Sequence, residues 1–253
     1  MQAPGAMRPP VGVHFDAAFG DNLDDLLALS LLYSLDNRNE CRVIGMTTSK
    51  DNLESAGLYE VYQKLYGGRP TAIGMETGKV RSATGMVLKA AAEGQATTVK
   101  SVLDTAEPNG LIRNLLTANH DGNAVIICTG PTDNLRDLMK LQTARPVVAA
   151  KVRTLYLVGD EAKPVADWPT PVVTVPVPTG LSYVAKAADF GWNEKHPAAQ
   201  VLALMPDAKL NRAAMAAVLQ AVRGKDFVVT DAVLAELVAA KPIPRQRMRG
   251  FGV

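Results

Sequence analysis

The chain has little of what thiol, zinc or nucleic-acid chemistry would need. Of its 253 residues only Cys41 and Cys128 are cysteines. No CxxC pair or Cys/His cluster accompanies them, which argues against a structural zinc site. Each lies in an apolar run that reads as a strand, so two buried thiols are expected ahead of a disulfide. Five Phe and two Trp are too few for an aromatic platform on which bases stack. The 27 basic and 25 acidic residues leave a net charge of +2 with no dense basic run, so neither nucleic acid nor an anionic membrane is expected as a partner. No apolar segment is long enough to span a bilayer. The start, MQAPGAMRPP, lacks the apolar stretch of a signal peptide. Residues 1–10 are expected to be a disordered segment of a soluble protein, with a cytoplasmic chain and one exported after signal removal both left open.

What the chain does have is apolar residues, 47% of the total, in a regular alternation of two patterns. VGVHFD (11–16), CRVIGMTT (41–48), TAIGM (71–75), NAVIICTG (123–130), VRTLYLVG (152–159) and PVVTVPV (171–177) read as buried strands. Helical spacing is expected over 23–35, 53–67, 82–94, 110–119, 132–141, 197–205, 211–223 and about 231–240. A further short strand is expected at DFVV (226–229). No repeat or composition break divides residues 11–253. The β-α-β-α rhythm predicts one α/β domain, doubly wound, with a mainly parallel sheet flanked by helices.

Ligands of such folds bind beyond the carboxyl ends of the strands, and several of those ends are polar. The first carries Asp16, then Asp21, Asn22, Asp24 and Asp25; the second Thr47, Thr48, Ser49, Lys50, Asp51 and Asn52. The Cys128 strand is followed by Thr129, Asp133 and Asn134, and the Leu157 strand by Asp160 and Glu161. Any one of these has an ordinary role as a helix cap. A single cap does not need the four carboxylates between Asp16 and Asp25. Converging carboxylates with a nearby carbonyl suit a hard cation or the hydroxyls of a sugar. GDN at 20–22 lacks the other glycines of a phosphate-binding fingerprint.

FDAAFGDNLDDLLAL resembles the N-terminal signature of the inosine–uridine-preferring nucleoside hydrolases (nucleoside N-ribohydrolases). VIICTGPTDNLRDL is similar to a later family segment, and VIGMTTSKDNLESA, WPTPVV and AAMAAVLQAVRG more weakly resemble others. The resemblance implies a nucleoside hydrolase-like, Rossmann-like fold, a homo-oligomer, a nucleoside or related riboside as partner, and Ca²⁺ as cofactor. The implied activity is hydrolysis of the N-glycosidic bond. By position it implies Asp16, Asp25 and the Thr129 carbonyl as metal ligands, and Asp24 and Asn52 as ribose contacts.

Two departures bear on that activity. Ala18 stands where the family carries the aspartate that both binds metal and activates water. Ala214 aligns with the C-terminal metal aspartate, while a second alignment places His196 or Gln200 there. The family's E-[FW]-N ribose loop is shortened to a faint echo at Asp167 and Trp168. With these carboxylates gone the Ca²⁺ site should be severely weakened, and Asp21 and Asn22 are the replacements within reach. Two readings follow: an N-glycosidase with a rearranged site, and a catalytically silent relative that binds a ligand or acts as a scaffold. A haloacid-dehalogenase-type phosphatase, with Asp16 as nucleophile, ranks below both. His14, His120 and His196, with Trp168 and Trp192, are expected to be structural before functional.

Overall fold

The computed structural model describes residues 9–78, 84–159, 164–177, 183–208 and 210–243. Along the chain run β1 (Val11–Ala17), α1 (Leu23–Asn37), β2 (Cys41–Thr48), α2 (Leu53–Leu65), β3 (Ile73–Met75), α3 (Met86–Ala92), α4 (Pro108–Thr117) and β4 (Ala124–Cys128). Then follow α5 (Asp133–Leu138), α6 (Ala144–Lys151), β5 (Val152–Val158), β6 (Val172–Val175), α7 (Pro197–Leu204), α8 (Ala213–Arg223) and α9 (Asp231–Leu237). The six strands form one sheet in the order β3-β2-β1-β4-β5-β6, and every pairing is parallel.

All seven residues of β1 are buried, as expected of a central strand covered on both faces. Side chains alternate across the sheet, so Val13, Phe15, Val125 and Ile127 join one core layer with α1, α2, α7 and α8. Ile44, Ile126 and Cys128 join the opposite layer with α4, α5 and α6. Burying a side chain such as Phe15 or Ile127 contributes about 1.5–3 kcal/mol, and this two-sided burial is what holds helices against both faces. Cys41 and Cys128 are buried and free. Among the described residues no helix is long and apolar enough to cross a membrane.

Two features differ from the sequence expectation. DFVV forms no strand: residues 226–229 are irregular, and Val228 is 75% exposed. The sheet ends at β3 and β6, and Phe227 instead packs on the helical layer with the Arg223 guanidinium 5.1 Å above its ring. The helix α6 was not anticipated from ARPVVAAK, although Pro146 sits in its first turn, where a missing N–H is harmless. Residues 1–8, and Asp160 and Glu161 beyond β5, lie outside the described residues.

Candidate functional site: the cleft at the strand ends

Strand order reverses between β1 and β4, and this is the switch point at which open α/β sheets form a crevice. A cleft of about 400 Å³ opens there. Asn22, Asp24 and Asp25 from the start of α1, Thr129 after β4, and Asn211 and Ala214 at the start of α8 line it, with Val158 and Gly159 at the end of β5. Ala214 thus faces the same space as Asp25 and Thr129. His196 and Gln200 do not line it: His196 is buried and accepts the Ala198 N–H at 3.2 Å, and Gln200 bonds to Gln95 and to the Glu93 carbonyl.

The turn between β1 and α1 is held from several sides. Asn22 caps α1, its Oδ1 accepting the Asp25 N–H at 2.8 Å while its amide donates to Asp25 Oδ2 at 3.1 Å. Phe19 stacks on Tyr59 with ring centroids 4.2 Å apart, and the Ser55 hydroxyl donates to the Phe19 carbonyl at 2.7 Å. Gly20 has φ +90 and lies against Leu88, where a Cβ would approach Leu88 Cδ1 to 2.7 Å. Only glycine suits that combination. Asp21 is half exposed and pairs with the fully buried Lys50 ammonium. Gly130 packs on the turn: a Cβ there would meet the Ala18 backbone nitrogen at 2.5 Å.

Asp16 is fully buried behind the cleft. Its Oδ1 accepts the Thr47 hydroxyl at 2.5 Å and the Asn134 amide at 2.7 Å, and the Cys128 thiol lies 3.5 Å from Oδ2. Burial raises its pKa to about 6 although these three donors pull the other way. His14, whose pKa burial lowers to about 3, is neutral. With the Thr47 proton committed to Asp16, His14 donates through Nε2 to the Thr47 oxygen at 2.9 Å. Burial first, with the charges of Asp24 and Asp21, raises Asp25 to about 7 although the Thr129 hydroxyl and Asn22 amide pull the other way. Burial also raises Asp24, offset by N–H donors including that of Asn211, 2.9 Å away.

Ala18 follows β1, whose neighbours in the sheet are β2 and β4. Ser49 donates its N–H to the Ala17 carbonyl and Thr129 donates its N–H to the Asp16 carbonyl, so the two flank the end of β1. The Ser49 hydroxyl and Asn134 Oδ1 are buried without a hydrogen-bond partner, whereas the Thr129 hydroxyl is directed at the Asp25 carboxylate. Asn52 spends its carbonyl oxygen capping α2, accepting from Glu54 and Ser55 at 2.9 and 3.1 Å, and is not among the residues lining the cleft. Trp168 packs on the α4–α6 side of the sheet, and Asp167 is largely exposed. Among the described residues no group of three or more His, Cys, Asp or Glu side chains is arranged to hold a metal ion. Asn211, 187 positions from its partner Asp24, was missed from sequence because no local pattern marks it.

Known structures share this architecture. The purine-preferring ribonucleoside hydrolase from Gardnerella vaginalis superposes with a TM-score of 0.60 at 15% identity, over 85% of this chain and 80% of that one. The fold is that of the nucleoside hydrolases. The effector protein XOO4466 shares the nucleoside hydrolase fold of this chain with a TM-score of 0.71 at 12% identity, covering 94% of this chain and 95% of that one. The type III effector XopQ, in complex with adenosine diphosphate ribose, gives 0.64 at 11% identity over 94% of both chains. No family model matches the sequence, and no curated protein matches it.

Proposed function

We propose that the strand-end cleft binds a ribose-bearing small molecule, a nucleoside or an ADP-ribose-like riboside, without the calcium-dependent hydrolysis that the resemblance implies. The observation that carries this reading is the lining of the cleft, where Asp24, Asp25, Asn22 and Thr129 converge but Ala214 closes the circle. Carboxylates and amides of this kind bond sugar hydroxyls directly, and a cleft of this size suits a nucleoside. The ADP-ribose held by XopQ, on the same fold, supports the same ligand class.

Calcium takes about six to eight oxygen ligands. Ala18 and Ala214 offer none, Asp16 is engaged by Thr47 and Asn134, and Asp24 holds Asn211. This donor set does not fit the ion, and no chemical step is assigned to it. Calorimetric titration with inosine, uridine and ADP-ribose in EDTA tests the reading. Saturable binding by at least one, abolished by Ala214→Phe, is expected; no binding across the panel contradicts it.

One observation favours a second reading, glycoside hydrolysis without metal. Asp25 lines the cleft with a pKa near 7, the range in which a carboxyl group exchanges protons at neutral pH. Release of base from a nucleoside in EDTA, lost in Asp25→Asn, is the result this reading needs. Absence of release across a nucleoside panel rejects it.

A further inference from the structure

Lys50 is the charge that the metal-poor site leaves unexplained. It follows β2 directly and has no solvent-accessible surface, yet it carries an ammonium group. Its partner is the Asp21 carboxylate on the turn after β1. Lysine is almost never fully buried unless paired, and its tip is normally kept in water. Here the pairing reaches across from the β2 end to the acidic turn, where the charges of Asp24 and Asp21 add to the proton affinity of Asp25. The backbone around it is fixed: the Lys50 N–H donates to Thr48 Oγ1 at 3.2 Å, and that oxygen also bonds Ser55 Oγ at 2.9 Å. Ser55 in turn donates to the Phe19 carbonyl of the same turn.

We infer that Lys50 is a tethered cation that orders the acidic turn after β1, a task for which a bound divalent ion would otherwise be needed. It is a positioning residue: its ammonium draws Asp21 onto the β2 end, so that Asn22, Asp24 and Asp25 stay facing the cleft. Two features of the chain agree with this. Ser49, the residue before Lys50, donates its N–H to the Ala17 carbonyl at the start of the turn, and its hydroxyl is buried and unpartnered. A lysine and a divalent ion at the same carboxylate cluster repel each other, so the presence of one selects against the other.

The test compares Ca²⁺ affinities of the Ala18→Asp, Ala214→Asp double variant alone and combined with Lys50→Ala, by calorimetric titration with CaCl2 and no riboside. Removing the ammonium should tighten Ca²⁺ binding by tenfold or more, because the competing charge is gone. Lys50→Met, which keeps most of the side chain's length without the charge, carries the same comparison if the alanine variant does not fold. Equal affinities, or no Ca²⁺ binding in any of these variants, overturn the inference. The readout involves no riboside, so it stands or falls apart from the ligand proposed for the cleft.

Discussion

Asp25→Asn should stabilise the protein at alkaline pH and do little at acid pH. The folded-state pKa near 7 lies roughly three pH units above the usual 3.8. At about 1.4 kcal/mol per unit, keeping Asp25 ionised in the fold costs about 4 kcal/mol. The folded protein holds this proton to higher pH than the unfolded chain does. Folding therefore takes up a proton between about pH 4 and pH 7, and stability falls as pH rises through that window. Asparagine removes the charge at every pH. Its carbonyl can still accept from the Asn22 amide at the 3.1 Å position, while its new amide replaces the carboxylate oxygen toward which the Thr129 hydroxyl is directed. Allowing about 1–2 kcal/mol for imperfect geometry there, the net gain above pH 8 is about 2–3 kcal/mol. For a domain of this size that raises Tm by about 4–12 °C. Thermal melts in EDTA from pH 4.5 to 8.5 measure it. A lower Tm for the variant at pH 8, or a difference that does not change with pH, refutes the premise that the donors around Asp25 leave its buried charge only partly compensated.

Thr47→Val leaves both Asp16 and His14 short of a partner and should cost about 2–4 kcal/mol in urea unfolding, whereas Thr47→Ser should restore most of it. Gly130→Ala drives a methyl to 2.5 Å from the Ala18 backbone nitrogen; a loss of about 1–3 kcal/mol is expected, and an unchanged Tm would show that the turn moves freely. Asn211→Ala removes the oxygen that accepts the Ala213 N–H at 2.9 Å and the amide 3.4 Å from Asp24. About 1 kcal/mol of stability and a several-fold weaker ADP-ribose affinity should go with it, read by melting and titration.

Elements with strong two- or 3.6-residue patterning were legible in the sequence because burial on two faces imposes that patterning. DFVV shows the limit: Phe and Val suit a strand, but a strand needs a neighbour, and no local signal tells that the sheet has already ended at β6. Ala214, at the start of an Ala-rich helix, lines the cleft beside Asp25 and Thr129. Asn52 resembled a ribose contact, yet an asparagine ahead of a helix is first of all a cap, and its oxygen is used in that way. Thr47, Lys50 and Asn134 were visible only as polar residues at strand ends. Their roles depend on partners 29 to 118 positions away, which spacing does not encode.

The most direct measurement is a titration of the wild-type protein with ADP-ribose, run once in EDTA and once in CaCl2, with inosine monitored in parallel for release of hypoxanthine. The account predicts saturable binding with the same affinity in both buffers and no calcium-stimulated release. Binding that appears only with calcium, or hydrolysis switched on by it, would contradict the claim that this nucleoside hydrolase fold works at its strand ends without a metal ion.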